Sequence, residues 1–269
     1  MTRQRTLKLT IAYDGTRYAG WQVQTARSQK SEVRGQKNQQ PTIQGTLERV
    51  LRRILQEPVH VVGSGRTDAG AHAIAQVAHL RTRSTIACQR LLRSVNQLLP
   101  PDIAVSRIGE VDGSFHARFQ AVRKRYCYRV FTDPVVPPFI RPYVHQVRVP
   151  LDLALMRREA HGLRGRHNFK AFARSRRTDR GKPAGGATRT ITAIRLTRRG
   201  SELHLEIEGN GFLHTMVRSV AGTLLDIGRG HLPQGTVRRM LKTGQRDLAG
   251  TTVPARGLTL ISVKYRGER

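Results

Sequence analysis

Apolar and polar residues alternate from the start of the chain. Leu7, Leu9 and Ile11 interleave with Lys8, Thr10 and Ala12, the period-two pattern of a half-buried strand. Over residues 42–56 the period lengthens: Ile43, Leu47, Val50, Leu51, Ile54 and Leu55 fall on one stripe of a 3.6-residue helix. Arg49, Arg52 and Arg53 lie on its other face, and Thr42, following Pro41, is the expected N-cap. VHVVG at 59–63 and IAQVAHL at 74–80 predict strands on either side of a glycine-rich loop. A helix around Leu91, Leu92, Val95, Leu98 and Leu99 and a strand from Ile103 complete a β-α-β-β-α-β series. The second half repeats that order, with a strand at 126–131, a helix at 152–163, strands at 190–197 and 202–208, a helix at 212–227 and a strand at 258–265. A short extra helix is expected near 237–241. The pattern predicts an α+β fold of two pseudo-symmetric ferredoxin-like (RRM-like) subdomains, residues 1–113 and 114–269, with a cleft between them. Each would carry helices on one face of an antiparallel sheet, and the other face is the one RNA-recognition folds use as a platform.

Charge narrows the function. The chain has 48 Lys and Arg against 18 Asp and Glu, a formal net charge of +30, which exceeds what solubility requires and points to a polyanionic partner. Nucleic acid is the expected partner, with a membrane surface the lesser rival. No 18-residue apolar run occurs and the alternating pattern begins by Leu7, so neither a membrane span nor a cleavable leader is expected, and the cytoplasm is the expected compartment. Cys88 and Cys127 lack CxxC spacing, which argues against a disulfide framework or thiolate zinc site. Two basic stretches, 26–40 and 174–189, are too poor in apolar residues to pack a core. They read either as solvated connections or as arms that grip phosphates.

The densest chemical signal is GSGRTDAGAHA at 63–73, one carboxylate among small residues between two predicted strands. Gly63, Gly65 and Gly70 would allow positive φ and close approach by another molecule, presenting Asp68 at an exposed tip. As a bare pattern it also fits a turn-stabilising aspartate, and the GxxxxGK phosphate loop is missing. Glu202, His204, Glu206 and Glu208 share one strand face opposite Leu203, Leu205 and Ile207. Strict alternation beside so many arginines favours a solvated, ion-paired face over a metal site, and His72 and His79 lack a nearby acid cluster.

GRTDAGAHA followed by QVAHL at 76–80 resembles the signature loop of the bacterial tRNA pseudouridine synthase I (TruA) family. AYDGTRYAGWQVQ at 12–24, TIQGTLE at 42–48, SFHARFQA at 114–121, KRYCYRV at 124–130, HNFKAF at 167–172, NGFLHTMVRSVAG at 210–222 and GLTLISVKY at 257–265 agree in order. The resemblance spans nearly the whole chain. It implies an isomerase that converts uridine to pseudouridine at positions 38, 39 and 40 of the tRNA anticodon arm, as a homodimer, with neither cofactor nor metal.

On this resemblance Asp68 is the catalytic carboxylate, named the nucleophile by family convention. A carboxylate could attack ribose C1′, stabilise an oxocarbenium-like sugar or take a ribose proton. Arg218 of FLHTMVR matches the arginine that pairs with it, and an ionised carboxylate shielded from water needs such a cation. Arg66 resembles the arginine that helps extrude the target base, although a phosphate contact would use the same side chain. Tyr126 matches the tyrosine that stacks on the uracil, whereas Tyr128, two residues on, is expected to be packing. Ala71 stands where the family usually has valine, and 26–40 exceeds the usual connection. The competing readings are a tRNA-binding protein without catalysis and a metal-dependent nuclease.

Overall fold

The computed structural model describes residues 4–23, 40–174 and 186–268, so most of both basic stretches lies outside the described residues. The chain forms two compact units, Met1–Ala121 with Leu260–Arg269, and Val122–Thr259. This structural division falls after Ala121, and the last strand from Leu260 onward belongs with the first unit. Ala117 shows why: fully buried, its N–H donates to His79 Nδ1 (3.2 Å) and its carbonyl accepts from Tyr265 Oη (2.7 Å), tying the segment after 113 to the first unit.

In the first unit β1 (Arg5–Tyr13) is followed by α1 (Ile43–Leu55), β2 (Val62–Gly63), β3 (His72–Thr82), α2 (Cys88–Leu98) and β4 (Ile103–Val111). β1 is central, antiparallel to β3 with Leu7 opposite Leu80 and Leu9 opposite Ala78, and to β4 with Leu9 opposite Ile108. Leu7, Leu9, Ile11 and Tyr13 are buried, as their alternation requires. Thr42 caps α1 by accepting from Gly45 N, and Ile43, Leu47, Val50, Leu51 and Leu55 form the buried stripe. α1 and α2 pack together, but only Leu91 and Val95 of α2 are buried, and Leu98 faces solvent. The strand expected at 59–63 shrinks to Val62–Gly63, because Glu48 Oε1 accepts from Val61 N (2.9 Å) and removes a donor that a longer ladder would use.

The second unit runs β5 (Ala121–Phe131), β6 (His145–Gln146), α3 (Leu153–His161), β7 (Gly165–Asn168), β8 (Thr188–Arg199), β9 (Glu202–Gly209), α4 (Met216–Gly228) and α5 (Thr236–Thr243). Its strand order is β5-β9-β8-β7, with β6 parallel to the end of β5. Tyr128 pairs with Leu205 and Val130 with Leu203 across the β5–β9 ladder. These side chains meet Met156 of α3 and Leu224 and Leu225 of α4 in the core. α4 starts at Met216, four residues later than its periodicity predicts, because Thr215 takes a left-handed conformation (φ 61°) that keeps the residues from Phe212 to Thr215 out of the helix. Glu159 of α3 accepts from Gly235 N (2.7 Å) and Val237 N (3.1 Å), so one buried carboxylate serves the otherwise unsatisfied amides at the start of α5. The final strand, β10 (Leu258–Tyr265), adds to β3 in the first unit. Helices packed on mainly antiparallel strands make the fold α+β. Among the described residues no helix is long and apolar enough to cross a membrane.

Candidate active-site loop and substrate strand

Asp68 lies half-buried in the loop between β2 and β3, with Arg66 exposed and Thr67 buried just before it. The loop is fastened at its base and along its length. Ser64 N donates to Val77 O (2.7 Å), Ser64 Oγ to Gln76 Oε1 (2.6 Å) and Gln76 Nε2 to Gly65 O (3.1 Å), so the fully buried Gln76 amide ties the loop to β3. At the tip, Ala71 N donates to Asp68 O (3.1 Å), and Gly70 takes φ 77°, which a side chain at that position would resist.

The segment after β1 forms the back wall of this loop. Tyr13 Oη lies 2.8 Å from Thr67 Oγ1, Trp21 N donates to Thr67 O (3.2 Å) and Gly70 N to Tyr18 O (3.4 Å). Burial pushes the Tyr13 hydroxyl well above the usual phenol range, with the Thr67 hydrogen bond opposing, so it stays protonated and able to donate. His72 Nδ1 accepts from Gly15 N (3.1 Å) and lies 3.1 Å from Asp14 Oδ1. A Cβ on Gly15 would lie 1.9 Å from Ala71 O, and one on Gly63 would lie 2.5 Å from the Trp21 ring. Gly63 is thus required by Trp21 of its own chain, which corrects the expectation that it opens the loop to another molecule.

In the second unit Tyr126 lies on β5, opposite Ile207, and is mostly buried. Its ring meets Phe212 edge-on, with centroids 5.1 Å apart and planes at 84°. Tyr128 is fully buried and its hydroxyl donates to Pro254 O (2.9 Å), consistent with a packing role. Arg218 is half-buried on α4, where its Nε donates to Val253 O (2.8 Å). Arg66 and Asp68 thus belong to the first unit, and Tyr126 and Arg218 to the second. The acidic face of β9 is ion-paired: Glu202 binds Arg129 (2.8 Å) and His204 (2.9 Å), while Glu208 binds Arg125 (2.9 Å) and Arg123 (3.3 Å). The Arg129 hydrogen bond holds Glu202 below the usual carboxylate range. Among the described residues no group of three or more His, Cys, Asp or Glu could hold a metal ion.

Sequence reasoning had not assigned roles to Tyr13, Thr67, Gly15, Gln76 or Phe212. The AYDG and GW motifs carried the available signal, since two glycines flanking buried aromatics mark close backbone approach.

The profile of the tRNA pseudouridine synthase family matches residues 9–120 and 160–266. A protein from Solibacter usitatus named tRNA pseudouridine synthase A is 41% identical over 262 residues, covering 97% of this chain and 100% of its own. Namesakes from Moorella thermoacetica (39% over 259 residues) and Brevibacillus brevis (38% over 259 residues) each align over 96% of this chain and 99% of their own. The chain belongs to the tRNA pseudouridine synthase family.

Proposed function

We propose that this protein isomerises uridine to pseudouridine in tRNA, at positions 38, 39 and 40 of the anticodon arm, without a cofactor or metal. The reaction breaks the bond from ribose C1′ to uracil N1 and joins C1′ to C5. N1 gains a proton and C5 loses one, so the substrate's atoms are conserved. Family membership and the full-length likeness to proteins named tRNA pseudouridine synthase A support this activity.

The observation that carries the assignment of Asp68 is its setting. A half-buried carboxylate sits between Thr67, held by Tyr13, and Gly70, held by Tyr18, so its backbone position is fixed before substrate arrives. Preorganisation of this kind suits a group that must act at a single ribose carbon. In this reading Asp68 is the nucleophile, Arg218 supplies its counter-charge and Arg66 helps extrude the target nucleotide. Tyr126, backed edge-on by Phe212, stacks on the extruded uracil. The formal net charge of +30 supports recognition through phosphates. We assign the protein to the cytoplasm and to a homodimer, and treat residues 1–113 and 114–269 as the two functional halves apart from the structural division at Ala121.

Tritium release from C5-labelled uridine in a tRNA transcript tests the assignment. The protein should release tritium with the RNA left intact, in the presence of EDTA, and Asp68→Asn should release none. RNA shortening that EDTA abolishes would identify a nuclease, and tRNA binding without release would identify a binding protein.

A further inference from the structure

The turn at Asp112–Gln120 holds a motif, SFHARF, that the catalytic reading leaves without a role. It is cross-tied throughout. Asp112 Oδ1 accepts from Ser114 N (2.8 Å) and Ser114 Oγ (2.6 Å), Gln120 N donates to His116 O (3.1 Å), and Gln120 Oε1 accepts from His116 N (3.2 Å). His116 Nδ1 accepts from both Arg118 N (3.2 Å) and Phe119 N (3.3 Å), and buried Ala117 anchors the centre. This rigid turn presents an aromatic ring to water: Phe119 is 76% exposed, with its ring stacked on His116 at 4.2 Å and 29°. The Arg118 guanidinium lies 5.8 Å from the Phe119 centroid, and Arg81 donates to Gly113 O (3.4 Å) at the start of the turn.

An exposed phenylalanine forgoes the roughly 1.5–3 kcal/mol that burying such a side chain contributes. Its neighbours in the turn, Ser114, Arg118 and Gln120, are polar and exposed, so the surface offers one flat ring bordered by a cation and an amide. A protein partner would favour several contiguous apolar groups. A nucleotide matches both features, with a π-face for the ring and a phosphate for the guanidinium.

We propose that Phe119, backed by His116, is a stacking platform for a nucleobase of the bound RNA, with Arg118 meeting an adjacent phosphate. This subsite takes no part in bond making, and it rests on the reading of the substrate as RNA. Sequence-tolerant stacking would suit an enzyme that accepts different RNAs, because every base has a π-face.

The test measures binding of an unmodified tRNA transcript together with turnover. Phe119→Ala should raise Kd about tenfold, within the range set by losing one stacked base, and leave kcat at saturating RNA unchanged. Phe119→Trp should restore Kd to within about twofold, and tRNA should quench the introduced indole while polyphosphate does not. Because Phe119→Ala removes no charge, the salt dependence of binding should keep its slope, whereas Arg118→Gln should lower that slope by about one. The exposed ring makes unfolding by Phe119→Ala unexpected, and an unchanged melting temperature checks this. A Kd within about twofold of wild type in Phe119→Ala would overturn the platform, as would a changed oligomeric mass with unaltered RNA affinity. If wild type neither binds tRNA nor releases tritium, the RNA reading itself fails, which is a different result from an active wild type with an indifferent Phe119→Ala.

Discussion

Tyr13 Oη and Thr67 Oγ1 lie 2.8 Å apart in the interior of the first unit, one residue before Asp68. The hydrogen bond joins the end of β1 to the carboxylate loop. Tyr13→Phe keeps the ring and its packing against Trp21 but removes the loop's partner. An unsatisfied buried hydroxyl costs about 1–3 kcal/mol, so the urea midpoint should fall by a corresponding amount. Because the lost contact positions the carboxylate and not the RNA, single-turnover rates should fall about tenfold while tRNA affinity stays constant. Equal losses in rate and affinity would show that Tyr13 holds the RNA-binding surface instead.

Asp68→Asn deletes the charge and preserves the shape. We expect tRNA affinity within a few fold of wild type and no detectable pseudouridine, measured by filter binding and by tritium release on the same preparation. Turnover near the wild-type rate would remove Asp68 from the chemistry.

The elements with strict periodicity were readable in advance, and the interruptions were not. β1, α1 and β9 have apolar stripes that only one structure buries, so the buried face of each and the cap of α1 followed from the residues. The late start of α4 depends on a left-handed Thr215, and the loss of strand at 59–61 depends on Glu48 capturing Val61 N. Both are tertiary events without a local pattern. β7, four residues of GRHN, lacks the β-branched run that would announce it. Of the loop, the small residues and the carboxylate were legible. Its dependence on Tyr13, Trp21 and Gln76 was not, because those contacts bridge separate parts of the chain.

Gly63 makes that dependence testable. Its position for a Cβ lies 2.5 Å from the Trp21 ring, and Trp21 is buried, so Gly63→Ala forces a rigid indole to move. Overpacking of this kind costs about 1–3 kcal/mol. Trp21→Leu should relieve it, and in a double-mutant cycle read by urea unfolding the two substitutions should be less destabilising together than the sum of each alone. Additivity would mean that the ring and Gly63 do not press on one another.

Acid stability should depend on two imidazoles, the buried His79 and the half-buried His145. Burial lowers His79 to about 4, assisted by His116 and Arg81, and burial lowers His145 to about 4, assisted by Arg256 and Arg229. Between the ordinary histidine value of 6.5 and about 4, the unfolded chain binds protons that the folded chain refuses, so stability falls as pH falls through that window and levels off below it. His145 Nδ1 is buried without a hydrogen-bond partner among the described residues, and its ring meets Tyr128 edge-on at 6.3 Å. His145→Phe should therefore keep the packing and flatten the decline in melting temperature between pH 6.5 and 4. An unchanged slope would assign the acid sensitivity to other groups.

Arg218 separates charge from geometry. Its Nε donates to Val253 O at 2.8 Å, which fixes the guanidinium plane on α4. Arg218→Lys keeps a cation on the helix, but an ammonium cannot reproduce both that bond and the planar fork that pairs with a carboxylate. If Arg218 provides the counter-charge for Asp68 through that fork, Arg218→Lys and Arg218→Ala should both slow turnover strongly. The lysine variant should lose about 1 kcal/mol of stability for the missing hydrogen bond, and the alanine variant more, since it also removes the packed stem. Circular-dichroism melts and single-turnover rates on the same samples separate the effects. A lysine variant that turns over at the wild-type rate would show that a nearby positive charge suffices, and that the orientation set by Val253 has no part in the reaction.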